Sequence, residues 1–251
     1  MSTPNFEMWA LDAFKNTSWV DKPTVYWFST CLHKTFQAVK GDKPLVIGLC
    51  GNMGCGKDSV ARWFTHRSGW STFFRSIAFA DPIREIGKIF GFIEEQMTDR
   101  KLKETIDKRW GISPRTFMQK VGTEMFRDHL DEDVWVKLAL DRIEIASQSF
   151  LCPCVSGEPT TRDAIFVTDV RFPNEVKSLR DIGGKIVKIS REGYDKSGKD
   201  LHPSERYISE IEADLVIKND APTLEEFQWN AAKQIGIWLK HDTFYDLENI
   251  K

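Results

Sequence analysis

A glycine-rich run, Gly51-Asn52-Met53-Gly54-Cys55-Gly56-Lys57-Asp58-Ser59, leaves this chain few ways to fold. It follows the apolar run Leu45-Val46-Ile47-Gly48-Leu49-Cys50, which reads as a short buried strand. It leads into Val60-Ala61-Arg62-Trp63-Phe64, which reads as a helix. Strand, glycine-rich turn and helix in that order are the setting a phosphate-binding loop needs. Glycines let successive backbone N–H groups curl around an anion, the helix behind presents its positive dipole end, and Lys57 adds a full charge. Gly51, Gly56 and Lys57 satisfy G-x-x-x-x-G-K, but Asp58 stands where a Ser or Thr belongs and Ser59 comes one position late. A glycine turn capping an ordinary helix is the plainer alternative. The upstream strand and the Lys in register favour nucleotide binding.

Bulk charge does not draw the anion in. The formal net charge is -2 over 251 residues, so phosphate must be held by local clusters rather than by an overall basic surface. No apolar run approaches the length of a membrane span, and Met1-Ser2-Thr3-Pro4-Asn5 lacks signal-peptide features. The five cysteines, Cys31, Cys50, Cys55, Cys152 and Cys154, are odd in number and irregular in spacing, which points to reduced thiols and a cytoplasmic setting. Cys152-Pro153-Cys154 has no second Cys/His pair at zinc spacing and reads as loop. Cys55 reads as a small residue tolerated inside the phosphate loop.

The remaining chain alternates between periods of a strand and a helix. Residues 1–43 contain Val25-Tyr26-Trp27-Phe28 and then Leu32, Phe36 and Val39, compatible with one or two helices that pack on something. Ser71–Ile77 reads as a second strand. Ala80-Asp81-Pro82 opens a helix with Asp81 as its cap, running through Ile83, Ile86 and Ile89 to Gly91. The charged stretch 98–104 reads as a solvated segment. Ser113-Pro114-Arg115 opens another helix, with Phe117, Met118, Val121 and Met125 as its apolar stripe. Arg115, Gln119, Gly122 and Thr123 fall on one face. A guanidinium, an amide, a gap and a hydroxyl suit a phosphate and a base edge, as they would an ordinary polar face. Asp131–Asp133 could cap a helix whose buried side is Trp135, Leu138 and Ile145.

Residues 150–162 read as a loop. Ala164–Thr168 reads as a central strand with Asp169-Val170-Arg171-Phe172-Pro173-Asn174-Glu175 at its carboxyl end, where ligands sit in open α/β sheets. A carboxylate there can hold Mg²⁺ and an arginine can clamp phosphate; Asn174 and Glu175 would also suit a first helical turn. Gly183-Gly184 ends that helix, Lys185–Ile189 and Ala213–Ile217 read as strands, and a last helix carries Leu224, Phe227, Ala231, Ile235 and Trp238. His202, in the polar loop before the fifth strand, has no partner pattern for catalysis. The expected fold is a three-layer α/β domain at 44–245 with a parallel sheet of about five strands around the phosphate loop. A helical substrate-binding insertion is expected at about 80–149, and a helical N-terminal extension at 1–43.

Over roughly 45–240 these residues resemble the deoxynucleoside monophosphate kinases of tailed bacteriophages. The resemblance rests on G-x-x-x-x-G-K-D-S at 51–59, F-A-D-P-I-R-E at 79–85, R-T-F-M-Q-K-V-G-T at 115–123 and Trp135. It continues with D-V-R-F-P-N-E at 169–175, G-G at 183–184, H-P-S-E at 202–205 and I-K-N-D at 217–220. It makes Asp58 a family variant, and it implies transfer of the ATP γ-phosphoryl group to a deoxynucleoside 5′-monophosphate with Mg²⁺. Gly51, Asn52, Gly54, Cys55, Gly56 and Lys57 would hold the donor phosphates, and Asp58, Ser59 and Asp169 would organise Mg²⁺. Lys57, Arg115, Asp169 and Arg171 would carry catalysis. Asp81, Arg115, Gln119, Gly122, Thr123, Trp135, Arg171 and Glu175 would form the acceptor site, with Trp135 as a stacking or wall residue and Glu175 orienting Arg171. A homodimer acting on small-molecule nucleotides is implied, with no membrane and no stable nucleic-acid partner. The rival readings are a P-loop kinase for a modified base in DNA or for dephospho-coenzyme A, and a nucleotide-binding regulator without turnover.

Overall fold

A computed structural model describes residues 36, 43–67, 73–148, 150–151, 159–160, 163–194 and 207–248, the side chains of 67, 150–151, 159–160 and 240–248 excepted. Strand β1 (Leu45–Cys50) is buried along its whole length. Its neighbours are β5 (Ala164–Val170) and β6 (Lys185–Ser190), with β2 (Phe74–Ile77) and β7 (Leu215–Lys218) at the two edges. The order is β2-β5-β1-β6-β7 and every pairing is parallel. A parallel sheet must be covered on both faces, which is why its inner strands read as continuous apolar runs. Edge strand β2 exposes Arg75 and Ser76 instead.

The period-2 alternation of β1 feeds two layers. Ile47 and Leu49 join Phe64, Phe74, Phe166 and Ile189 beneath helices α1 (Lys57–Arg62) and α7 (Leu224–Glu248). Val46 and Cys50 join Val167, Ile165 and Ile186 beneath α5 (Val134–Ser147) and α6 (Pro173–Asp181). The helices that follow the neighbouring strands β1 and β5 therefore lie on opposite faces. That reversal opens a crevice at the carboxyl ends of the two strands, where open α/β sheets bind ligands.

Between β2 and β5 the chain builds a helical insertion that includes α2 (Asp81–Ile89), α3 (Glu94–Thr98), a 3₁₀ turn at Leu102–Glu104 and α4 (Pro114–Gln119). It has an apolar cluster of its own: Phe92, Met97, Phe117, Met118 and Val121. Ser113 caps α4 by accepting the Thr116 N–H at 3.2 Å, and Pro114 takes the first helical position, as the sequence predicts. Phe36 also lies in the core, fully buried against Phe64 and Phe74; apart from Lys43, the rest of the expected N-terminal helical segment falls outside the described residues.

Several sequence expectations shift. Asp81 is inside α2 rather than its cap, because its carboxylate turns back to the Ala78 N–H and to Arg84. Met125 is exposed although Phe117, Met118 and Val121 are buried. The segment Lys120–Met125 is π-helical, and the wider turn rotates later positions off the α-helical stripe. On α5 the buried set is Trp135, Val136, Ala139 and Ile143, while Leu138 and Ile145 face outward. At about 100° per residue, Val136, Ala139 and Ile143 fall on one side of Trp135 and the two exposed residues on the other. Within 150–162 a short antiparallel pair forms between β3 (Phe150–Leu151) and β4 (Pro159–Thr160). Cys152, Cys154 and His202 lie outside the described residues. The last strand starts at Leu215 because Asp214 is spent clamping Ile186, its N–H on the carbonyl and its carboxylate on the N–H.

Candidate active site

The phosphate-loop residues follow the end of β1 directly. Gly51 has φ of +144°, and a Cβ there would strike the Ile189 carbonyl, so the turn off β1 requires glycine. Lys57 is 5% exposed at the start of α1, held by the fold rather than waving in solvent. Asp58 is exposed, and Ser59 and Asn52 are half-buried. The Cys55 side chain is fully buried, so only its backbone is available to a ligand. Burial pushes the Cys50 thiol up to about 12 and raises Cys55 as well; both serve as small apolar groups.

The loop is braced from behind and flanked in front. Asn219, just past β7, donates to the Cys55 carbonyl at 2.8 Å, and Gln228 of α7 donates to the Ser59 carbonyl at 2.9 Å. In front, the Tyr194 ring packs on Gly54, and Arg191 lies 4.6 Å above that ring with a 3.4 Å bond to the Gly54 carbonyl. None of these residues was given a role in the sequence reading, although Asn219 falls in the I-K-N-D run at 217–220. The others are single polar or aromatic residues in loops and on a helix, with no periodicity to mark them.

The end of β5 supplies the opposite wall. Cys50 pairs with Val170, so Asp169 lies beside the point where the loop leaves β1. The Asp169 carboxylate accepts from Phe79 N at 2.7 Å and Ala80 N at 3.0 Å, tying the end of β5 to the start of the insertion. Arg171 follows at the head of the turn into α6. Glu175, 2% exposed, accepts from the Arg171 and Phe172 backbone N–H groups at 2.8 and 3.0 Å. Its other oxygen accepts from Arg127 at 2.8 Å, and the Arg127 guanidinium sits 4.0 Å over the Phe172 ring. Burial first, and the Asp169 charge second, raise Glu175 to about 7, against the pull of Arg127 and the two N–H groups. Glu175 thus fixes the Arg171 backbone, and the guanidinium it holds is that of Arg127.

From the insertion, Arg115 pairs with Glu104 and lies 3.6 Å from the Met53 sulfur, so α4 reaches over the loop. Gln119 and Thr123 are half-buried on the same segment. Gly122 is not a gap in that face. Its carbonyl accepts the Trp135 indole N–H at 2.7 Å, and a Cβ would meet Ile83 at 2.9 Å, so glycine is there for packing. Trp135 is 2% exposed and cannot stack on a ligand; it backs the face from inside the core. The stretch read as solvated contributes Lys103, half-buried where the charges of Arg84, Arg115 and Arg171 all act on it. Burial, then those three cations, lower Lys103 to about 8.

Among the described residues no group of three or more His, Cys, Asp or Glu could cage a metal. Mg²⁺ needs no such cage, since it keeps waters and takes one or two carboxylates together with substrate phosphates. The exposed Asp58, the Ser59 hydroxyl and Asp169 at the crevice are hard oxygen donors of that kind. Among the described residues no helix is long and apolar enough to cross a membrane.

The family model for deoxynucleotide monophosphate kinase matches residues 87–230. A protein of Acanthamoeba polyphaga mimivirus, named for the same activity, is 34% identical over 187 residues, covering 73% of this chain and 92% of that protein. The deoxynucleotide monophosphate kinase of Enterobacteria phage T4 is 27% identical over 164 residues, 65% of this chain and 59% of the phage protein. The deoxynucleoside-5′-monophosphate kinase of Escherichia phage T5 is 29% identical over 200 residues, 72% of this chain and 74% of its own.

Proposed function

Because the chain belongs to the deoxynucleotide monophosphate kinase family, we propose that it transfers the γ-phosphoryl group of ATP to a deoxynucleoside 5′-monophosphate, giving the diphosphate and ADP. The observation that carries this reading is a convergence on one crevice. The phosphate loop with buried Lys57, the Asp169–Arg171 end of β5 and Arg115 against Met53 all meet there.

Phosphoryl transfer needs little covalent help from the protein; it needs alignment of donor and acceptor and neutralisation of the charge on the transferring group. The loop N–H groups and Lys57 hold the donor β- and γ-phosphates. Arg171 and Arg115 face the transferring and acceptor phosphates, where preorganised cations lower the barrier most. Gln119 and Thr123 contact the acceptor nucleotide, and Asp81 orients Arg84 at its edge. No general base is required, since the acceptor oxygen is already anionic. Mg²⁺, when bound, neutralises further charge on the donor phosphates, and Asp58, Ser59 and Asp169 are the residues that would hold it and its waters.

The kinase domain is assigned to 44–245 with the acceptor-binding insertion at about 80–149. The working form is assigned as a homodimer, which light scattering at assay concentration tests, and as cytoplasmic, in the host cell if the chain is phage-encoded. Activity is tested by coupled ADP release with each deoxynucleoside monophosphate, then ribonucleotides, DNA and dephospho-coenzyme A. Turnover is expected with at least one deoxynucleoside monophosphate and not with DNA. No turnover with any monophosphate overturns the reading.

A further inference from the structure

We propose that Lys103 is a binding residue for the acceptor's 5′-phosphate, completing a cationic pocket with Arg84, Arg115 and Arg171. The proposal rests on the kinase reading above and assigns it a residue that neither motif nor spacing marks.

Four different parts of the chain bring these cations together. Arg84 comes from α2, Arg115 from α4 and Arg171 from the end of β5, while Lys103 sits on the 3₁₀ turn packed against α4. That turn is held in place: Asp99 accepts the Lys101 and Leu102 N–H groups, both at 2.9 Å. Asp81 offsets Arg84 and Glu104 offsets Arg115, whereas Lys103 is half-buried beside these cations with its charge disfavoured, a cost that an anion bound there would remove. A second observation points the same way. Arg84 donates through Nη1 to Asp81 at 2.6 Å, yet its Nε is buried with no hydrogen-bond partner among the described residues. Buried guanidinium donors are nearly always satisfied, and a phosphate oxygen is the acceptor an arginine fork matches best.

The charged groups facing Lys103 are Arg84, Arg115, Arg171 and its neighbour Glu104; Glu94 of α3, the other element against the turn, is paired with Lys88. With its proton held weakly in the free enzyme, Lys103 is partly neutral near pH 8. A dianionic phosphate restores the proton, so acceptor binding takes up a proton at this residue. A nucleotide 5′-phosphate is mostly dianionic above about pH 7, so its own charge changes little over the pH range tested. Loss of acceptor affinity above pH 8 is therefore a property of Lys103.

The test is initial-rate kinetics on the full chain with the best deoxynucleoside monophosphate, for wild type, Lys103→Met and Lys103→Arg, between pH 7 and 9.5. Lys103→Met is expected to raise the acceptor KM by about 10- to 100-fold, the range of a charge-assisted hydrogen bond, and to leave the ATP KM within about twofold. In wild type the acceptor KM rises above pH 8 toward tenfold per pH unit, and in Lys103→Arg it stays flat because arginine keeps its charge. An unchanged acceptor KM in Lys103→Met, or an equal rise for ATP, overturns the assignment. If Lys103→Met does not fold, Lys103→Arg decides: a flat profile supports the role and a wild-type profile refutes it. Absence of wild-type turnover on any monophosphate instead refutes the kinase reading, and this role with it.

Discussion

At the scale of single residues, the proposed chemistry divides between side chains that would meet the phosphates and side chains that hold those in place. Arg171 is proposed for the first kind. Arg171→Lys is expected to lower kcat by roughly 100-fold or more, since a point charge cannot replace a planar fork on a transferring phosphoryl group. Steady-state kinetics with an intact circular-dichroism spectrum checks this. Arg127 belongs to the second kind, through Glu175. Arg127→Met leaves a buried carboxylate without its counter-charge, a change that typically costs about 3–5 kcal/mol. Urea denaturation should show that loss, and Arg127→Met with Glu175→Gln should recover part of it. The sign of its pH dependence follows from Glu175, whose folded value of about 7 lies above the unfolded one near ~4.3. The folded state then holds the extra proton, so this group's contribution to stability falls as pH rises from the unfolded value to the folded one. Removing Arg127 raises the folded value further. The deficit of Arg127→Met should accordingly be smaller at pH 5 than at pH 8.

At the scale of elements, the phosphate loop is braced by parts distant in sequence. Asn219 holds the Cys55 carbonyl and Gln228 the Ser59 carbonyl, so the loop inherits its shape from β7 and α7 as much as from its own glycines. Asn219→Ala orphans a loop carbonyl and should raise the ATP KM about 5- to 10-fold, with the acceptor KM unchanged. Separate titration of the two substrates checks it. An equal effect on both would mean that Asn219 supports the whole crevice rather than the donor side. The insertion behaves differently: its own apolar cluster gives it internal stability, while Asp169, Arg127 and Asn174 tie it to the end of β5. Movement of the insertion on acceptor binding would therefore be felt at Arg171.

At the scale of the whole molecule, the core reaches outside the sheet and its helices. Phe36 lies edge-on to Phe64 and Phe74, with ring centroids 5.9 and 5.2 Å away, and is fully buried. Phe36→Ala should cost about 3–5 kcal/mol of unfolding free energy in urea melts, as for other buried phenylalanines. A loss below about 1 kcal/mol would mean that this segment adds little to the kinase fold.

The sequence by itself determined the parts governed by local physics. Apolar runs bounded by turns specified β1, β5 and β6, the Ser113-Pro114 pair specified the start of α4, and Gly51, Gly56 and Lys57 specified a phosphate loop. Each is encoded within a few residues, because backbone conformation and alternate-face burial are short-range constraints. Tertiary structure decided what depends on which elements meet. It turned Trp135 inward onto Gly122, set Glu175 against Arg127, and brought Lys103 out of a bland charged run to Arg84, Arg115 and Arg171. A buried ion pair or a cluster of like charges leaves no period in the sequence. Its members come from separate elements, and only the crossing of those elements over the β1–β5 crevice makes them neighbours.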